Sequence, residues 1–163
     1  MSSVVLHPIG TIATPYKTAE EMPIQPGGAA ETMGTVVVDE VYAEGLADLE
    51  GFSHIILIYQ FHRSQGFDLI VKPFLDDHKR GLFSTRAPRR PNPIGLSVVQ
   101  LVKREGNRIK VLGIDVLDGT PLIDIKPFVP AFDVPEVTAV GWLEGKEGLE
   151  KKIRSDDRFS NHH

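Results

Sequence analysis

Cysteine is absent from this chain of 163 residues. Disulfides, thiolate zinc sites, iron–sulfur clusters and cysteine nucleophiles are therefore excluded. The six histidines include no pair at the i, i+4 spacing of a helical zinc site, so we expect no bound metal. No apolar run approaches the roughly 18 residues of a membrane-spanning helix, and the first ten residues lack the pattern of a signal peptide. We therefore expect a soluble, cytoplasmic protein that makes no contact with a membrane.

The Gly-rich strand–turn–helix fingerprint of dinucleotide-binding folds is also missing. Runs rich in β-branched residues predict strands at 4–14, 34–41 and 53–61, and the last is apolar enough for a strand buried on both faces. Short turns join most of these runs, and helical patterns are few. The pattern favours an antiparallel or mixed β-barrel with small helices.

A hairpin signal, Glu105-Gly106-Asn107, separates two further apolar runs. In the second run the apolar positions change phase, from Ile109 and Val111 to Leu112, Ile114 and Val116. A change of phase by one residue predicts a β-bulge, which often lies beside a functional site.

The length and a hydrophobic content of 41% are those of one domain with a real core. We place this domain at residues 1–143. The remaining segment, 144–163, is a charged C-terminal tail that we expect to be helical or disordered.

Positive charge is concentrated in one part of the chain. Residues 71–110 contain ten Lys and Arg against three acids, a local charge of +7, although the whole chain carries −4. The rest of the chain therefore carries −11, and a polyanion has one place to bind.

Within this segment, "LFSTRAPRRPNPIG" (82–95) combines three arginines with three prolines. Proline fixes its own φ angle and pushes the preceding residue to an extended conformation, so the run predicts a rigid loop. Its guanidinium groups would be positioned before an anion or a nucleotide arrives, which lowers the ordering cost of binding. The alternative is a solvated loop with surface ion pairs. Because Ile94-Gly95 leads directly into an apolar strand, we favour the binding loop.

A second group of polar residues comprises Asp115, Asp118, Thr120, Asp124 and Lys126. Its carboxylates could serve as hydrogen-bond acceptors or metal ligands, or Asp118 could simply cap the turn at Gly119. Two histidines border the apolar 53–61 run. His54, within it, is the structural candidate, and His62, at its end, is the better site candidate.

Four segments together resemble one known family. "FSTRAPRRPNPIG" and "DVLDGTPLIDIKPF" are similar to the paired signature of the TsaA-like (TrmO-type) family, and "LEGFSHIILIYQFH" and "PIQPG" fit in the expected order. The resemblance covers about residues 4–130. The family is described as S-adenosylmethionine-dependent tRNA methyltransferases that act on N6 of threonylcarbamoyladenosine at position 37.

The resemblance implies a mainly β fold, a small single-sheeted β-barrel with a few short helices, and a homodimer that binds the methyl donor near its interface. It places the following residues in the S-adenosylmethionine pocket: Gln25, Pro26, His62, Arg63, Arg86, Ile114, Asp115, Val116, Leu117 and Asp118. It assigns contact with tRNA, or with the pocket wall, to a second set: Arg89, Arg90, Asn92 and Lys126.

Methyl transfer to N6 needs a proton acceptor, because a carbamoyl group delocalises the nitrogen lone pair and makes the N–H more acidic. Our hypothesis gives this role to Asp118 or His62, acting directly or through water. Two other readings stay open. The same barrel could be a non-catalytic RNA- or nucleotide-binding regulatory module, or a phosphate-handling hydrolase that uses Arg86 and the carboxylates.

Overall fold

Six strands form a closed barrel in this computed structural model, which describes residues 2–22, 29–74 and 76–146. The order around the barrel is β1-β2-β7-β6-β3-β8, each strand antiparallel to its neighbours. The barrel strands are β1 Gly10–Ala13, β2 Met33–Val38, β3 His54–Gln60, β6 Ile94–Glu105, β7 Arg108–Leu112 and β8 Thr120–Pro127. A separate two-stranded sheet consists of β4 Ile70–Val71 and β5 Arg80–Gly81.

Helical structure is short. The one α-helix described, α1, is Pro130–Asp133. The 3₁₀ turns are Ala19–Glu21, Glu40–Leu46, Leu49–Gly51, Leu82–Ser84 and Gly141–Leu143. Within the described ranges, no helix is long and apolar enough to cross a membrane. The predicted mainly β barrel with small helices is confirmed.

The core consists of side chains from alternate positions along the strands. On β3, Ile55, Leu57 and Tyr59 point into the barrel and are buried, whereas Ile56 and Ile58 face outward and are half-buried. The expectation that this strand is buried on both faces was therefore wrong. A barrel strand has one interior face, and an apolar run in the sequence does not reveal which side is covered.

The hairpin between β6 and β7 forms where it was predicted, and Gly106 takes the left-handed backbone conformation of its turn. The predicted bulge in the second strand was misplaced. β7 ends at Leu112, and Gly113, at φ 91°, redirects the chain so that Ile114 and Val116 face the interior. The irregularity in the ladder lies on β6 instead, between Leu101 and Lys103.

Four strand ends meet at one end of the barrel. β1 and β3 finish there, while β6 and β8 begin there, as the pairings Ile12–Thr120 and Gln60–Ile94 show. The segment that follows β7 reaches the same end, because the backbone amide of Asp118 donates to the carbonyl of Tyr16. Loops from distant parts of the sequence are thus collected around one barrel opening.

Residues 141–146 pack against the loop that precedes β6. The indole N–H of Trp142 donates to the carbonyl oxygen of Ser84 at 2.8 Å, and the cations of Arg80 and Lys146 lie 5.8 Å and 5.4 Å from the centre of its ring. The buried carboxylate of Asp76 pairs with both of these cations. These contacts hold the start of the arginine–proline loop in a fixed position.

Candidate ligand pocket at one end of the barrel

A pocket of about 290 Å³ opens at the barrel end where these loops meet. It lies between the segment that follows β1, the end of β3, the arginine–proline loop and the segment that joins β7 to β8. Its lining residues are Thr18, Ala19, Glu20, Met22, Tyr59, Phe61, His62, Arg63, Ser64, Pro88, Val116, Leu117 and Thr120. A concave, largely apolar site with a few polar groups is typical of small-molecule binding.

Two aromatic rings form the inner wall. Tyr59 and Phe61 pack edge to face, with ring centroids 5.6 Å apart and planes at 87°. Gly95, on the neighbouring strand, allows this arrangement, because a Cβ atom there would lie 2.4 Å from the ring of Tyr59 and 2.8 Å from that of Phe61. The glycine that follows the arginine–proline loop is therefore needed for the shape of the pocket.

His62 and Arg63 come directly after Phe61 in the chain and also line the pocket. Burial lowers the pKa of His62, and the neighbouring positive charge of Arg63 lowers it further. The imidazole is therefore neutral at physiological pH and able to accept a proton. Arg63 donates to the carbonyl of Lys17 at 3.4 Å, which ties the end of β3 to the segment after β1.

Asp118 makes contacts with both of its carboxylate oxygens. Oδ2 accepts from Lys17 Nζ at 2.7 Å, and Oδ1 accepts from the backbone amide of Thr14 at 3.0 Å. The hydrogen bond from Lys17 and that from Thr14 hold the pKa of Asp118 below its usual range. Its carboxylate joins the segment after β1 to the turn that precedes β8.

Asp115 lies in a different environment, at the end of a chain of hydrogen bonds inside the barrel. The hydroxyls of Tyr59 and Ser97 are 2.8 Å apart, and Ser97 Oγ donates to Asp115 Oδ1 at 2.5 Å. Tyr59 and Ser97 are only 3% and 1% exposed. Burial raises the pKa of Asp115 to about 6, against the opposing effects of the Ser97 hydrogen bond and the positive charge of Arg86.

The three arginines of the arginine–proline loop have different environments. Arg89 donates to the carbonyl of Gln65 at 3.0 Å and to Asp68 at 2.9 Å, and Arg90 donates to the carbonyls of Thr85 and Ala87. Arg90 therefore braces the loop from within, and Arg89 ties it to the segment that follows β3. The exposed side chain of Arg86 makes no hydrogen bond or ion pair with any residue in the described part of the chain.

The remaining predicted residues lie apart from these. Asn92 is exposed on the loop, and Ile114 is fully buried in the core. Lys126 pairs with Asp124 at 2.9 Å near the other end of β8, six residues or about 20 Å along the strand from Thr120. Gln25 and Pro26 lie outside the described residues. The described ranges contain no group of three or more His, Asp and Glu side chains placed to hold a metal ion.

Several pocket or network residues were not predicted as site residues, among them Tyr59, Phe61 and Ser97. Tyr59 is near the end of β3 and Phe61 follows its last residue, and a spacing of two in extended chain places both side chains on the same face. That signal was available, but it did not show that this face continues beyond the core into a pocket. Ser97 looks like an ordinary strand residue until strand pairing brings it beside Tyr59.

A closed β-barrel with an aromatic pocket at one end, bordered by a braced cationic loop, defines a class of small ligand-binding barrels. Residues 11–134 match the model of the tRNA-methyltransferase O N-terminal domain. The chain belongs to this family.

Individual relatives agree with this membership. The chain is 51% identical over 156 residues to a probable S-adenosyl-L-methionine-binding protein of Pyrococcus abyssi, covering 96% of this chain and 85% of that protein. It is 35% identical to the tRNA (adenine(37)-N6)-methyltransferase of Escherichia coli, over 85% of this chain and 64% of that enzyme.

A crystal structure of TrmO from Pseudomonas aeruginosa has a similar fold, with a TM-score of 0.73 and 36% identity. The match covers 86% of this chain and 63% of that one. The present chain therefore spans somewhat less than two thirds of the length of these two bacterial proteins.

Proposed function

We propose that this protein is an S-adenosylmethionine-dependent tRNA methyltransferase that modifies N6 of threonylcarbamoyladenosine at position 37. The proposal rests on one observation, which is that the family match and the pocket involve the same segments of the chain. The chain matches the tRNA-methyltransferase O domain over 11–134, and the segments that carry the match surround the one pocket described above. The protein would act in the cytoplasm, where its RNA substrate is found.

The pocket suits the methyl donor chemically. A sulfonium is a cation surrounded by carbon, and aromatic rings such as those of Tyr59 and Phe61 attract such cations. A neutral His62 adds no repulsive charge. The hydroxyl of Ser64, on the pocket wall, is buried and has no hydrogen-bond partner within the described ranges, so it could bind the donor after a small movement. We also propose that Gln25 and Pro26 contact the methyl donor.

The donor supplies an already electrophilic methyl group, so the protein's main task is to align the acceptor nitrogen and exclude water. The positive charge of Arg86 acts on Asp115 and on Tyr59, which lines the pocket, and we expect its exposed guanidinium to contact the ligand or the RNA. It is still a prediction that Asp118 or His62 accepts the proton from N6. Of these two, His62 is the one whose side chain lines the pocket.

Contact with tRNA would extend over two regions. Arg89, Arg90 and Asn92 belong to the loop whose Pro88 lines the pocket, whereas Lys126 lies about 20 Å along β8 from Thr120. A substrate with a long phosphate backbone can touch both regions at once, and each neutralised phosphate adds to the salt dependence of binding. Because Arg89 and Arg90 already donate to backbone carbonyls, we expect them to contribute mainly by fixing the loop that RNA meets.

A homodimer is also part of the proposal. α1 and the segment after it expose apolar side chains, and Phe132, Val134 and Val137 are 83%, 60% and 63% exposed. A second copy of the chain is the partner that the family resemblance implies for such a surface. Light scattering of Val134→Asp beside the unchanged protein tests this, because a dimer held by this segment should dissociate.

Titration calorimetry with S-adenosylmethionine, followed by mass spectrometry of tRNA nucleosides after incubation with donor, tests the function. Donor binding and a mass gain of one methyl on N6 of threonylcarbamoyladenosine are expected. RNA binding without donor binding would instead identify the non-catalytic regulatory module. Hydrolysis of a phosphate ester without methyl transfer would identify the hydrolase.

A further inference from the structure

Two carboxylates of the segment that joins β7 to β8, three residues apart, have opposite environments. Asp118 is partly exposed, and each of its oxygens accepts a hydrogen bond. Asp115 accepts hydrogen bonds from the Ser97 hydroxyl, at Oδ1, and from its own backbone amide. Where an active site contains two carboxyl groups, their surroundings give them different pKa values, and this difference decides which of them accepts a proton. Unlike Asp118, which pairs with Lys17, Asp115 is held by neutral donors.

The position of Asp115 is fixed from the barrel interior. Ser97 donates its hydroxyl proton to Oδ1 at 2.5 Å, and the hydroxyl of Tyr59 contacts Ser97 from the opposite side at 2.8 Å. Because both hydroxyls are almost fully buried, water does not compete for these bonds. The next residues along the chain, Val116 and Leu117, line the pocket, as does Tyr59. The carboxylate is therefore held in place next to residues that line the pocket.

We infer that Asp115 is the proton acceptor of the reaction, and that Ser97 and Tyr59 are positioning residues which hold its carboxylate in place. The inference rests on the proposed function and replaces Asp118 and His62 in the role of base. N6 loses its proton to Oδ2 of Asp115, and the electron pair of the N–H bond remains on nitrogen. Nitrogen forms its new bond to the transferred methyl carbon, while the electrons of the broken carbon–sulfur bond stay on sulfur.

The charges around Asp115 agree with this role. Arg86 of the arginine–proline loop is the charged group that acts on it, and the facing groups of β6 and β3 are the neutral hydroxyls of Ser97 and Tyr59. With its pKa raised to about 6, the carboxyl is ionised at neutral pH but more basic than an ordinary aspartate. Acceptors of this strength suit proton transfer near pH 7.

The first measurement needs no activity. Carbon NMR of the Asp115 carboxyl in the unchanged protein should show titration with a midpoint near 6, since burial raises its pKa. In Ser97→Ala the midpoint should rise further, because the Ser97 hydrogen bond favours the ionised form. A midpoint near the ordinary aspartate value of about 4 would overturn the inference.

The second measurement is the single-turnover rate of methyl transfer to tRNA against pH, at saturating donor. The unchanged protein should lose rate below about pH 6, and in Ser97→Ala this loss should begin at higher pH. Asp115→Asn should be slower by about 10²- to 10⁴-fold, the usual contribution of a general base. Glu105→Gln, at the end of β6 away from the pocket, is the control and should keep its rate.

The two hypotheses fail in different ways. If the unchanged protein methylates tRNA and Asp115→Asn does so within a few-fold of the same rate, the inference is wrong and the proposed function stands. If the unchanged protein methylates no tRNA, the proposed function fails and the catalytic role of Asp115 fails with it. Circular dichroism and donor binding by each variant show that a lost rate does not reflect a lost fold.

Discussion

Replacing Gly95 with alanine tests the packing that shapes the pocket. The new Cβ atom would lie 2.4 Å and 2.7 Å from two ring carbons of Tyr59 and 2.8 Å from one of Phe61. These distances are too short for carbon atoms in contact, so both rings must move. Overpacking of this kind costs about 1–3 kcal/mol, which exceeds the gain of about 0.4–1 kcal/mol from reducing the freedom of the unfolded chain.

The assay is thermal unfolding with and without S-adenosylmethionine. For a chain of this size each kcal/mol lowers the Tm by roughly 2–4 °C, so Gly95→Ala should unfold several degrees below the unchanged protein. Its donor affinity should fall as well, because both displaced rings line the pocket. Gly81→Ala is the matched control. Nothing lies within 4 Å of its Cβ position, so its Tm should be unchanged or slightly higher.

Equal Tm values for Gly95→Ala and Gly81→Ala would show that the rings have room to move, and would refute the argument. A lower Tm with unchanged donor affinity would locate the donor away from Tyr59 and Phe61. The comparison therefore separates the packing claim from the binding claim.

Two predictions concern the contacts that hold the C-terminal segment. Hydrogen bonds from Arg80, from His78 and from Lys146 hold the pKa of Asp76 well below its usual range, so Asp76 stabilises the fold above about pH 4. This stabilisation is lost as the pH falls through the folded-state pKa. The free energy of unfolding in urea should therefore fall less with decreasing pH in Asp76→Asn than in the unchanged protein. The same pH dependence in both proteins would contradict this prediction. Trp142→Phe removes the hydrogen bond to Ser84 and should lower the unfolding free energy by about 0.5–1.5 kcal/mol in the same assay, and no loss would mean that the bond is exchanged for water without cost.

Alternation and turn signals were enough to predict a β-barrel and its last hairpin, because both depend on local sequence. They did not predict which strand face is covered. The apolar outer residues of β3, Ile56 and Ile58, look in sequence like the interior ones. The end of β7 was likewise read as a bulge, because a change of chain direction at Gly113 shifts the phase of the hydrophobic pattern just as a bulge would.

For the site, the sequence identified the residue types but not which groups their side chains contact. Arg89 and Arg90 have the composition of an RNA contact, yet their guanidinium groups donate to the carbonyls of Gln65, Thr85 and Ala87. Composition cannot distinguish an arginine that binds a ligand from one that satisfies backbone oxygens. Whether these arginines also meet RNA stays a prediction.

The hydrogen-bonded network of Tyr59, Ser97 and Asp115 was beyond sequence reasoning for another reason. Its members are separated by 38 and 18 positions in the chain. The pairing of β3 with β6 makes Tyr59 and Ser97 neighbours, and the segment that follows β7 brings Asp115 to Ser97. A register shift of one residue would turn Ser97 out of the barrel and separate it from Asp115. The property of interest, a carboxyl with raised pKa, is therefore a consequence of strand register and is not carried by any motif.

The arginine–proline loop can now be explained by its fixed points. Arg90 bonds to carbonyls within the loop, Arg89 connects it to the segment that follows β3, and Trp142 holds the backbone at Ser84. These three contacts leave little freedom to the backbone on either side of Arg86. A cation on a braced backbone is presented to its ligand at low entropic cost, since the loop is ordered before binding. The prolines and two of the arginines thus serve to position the third.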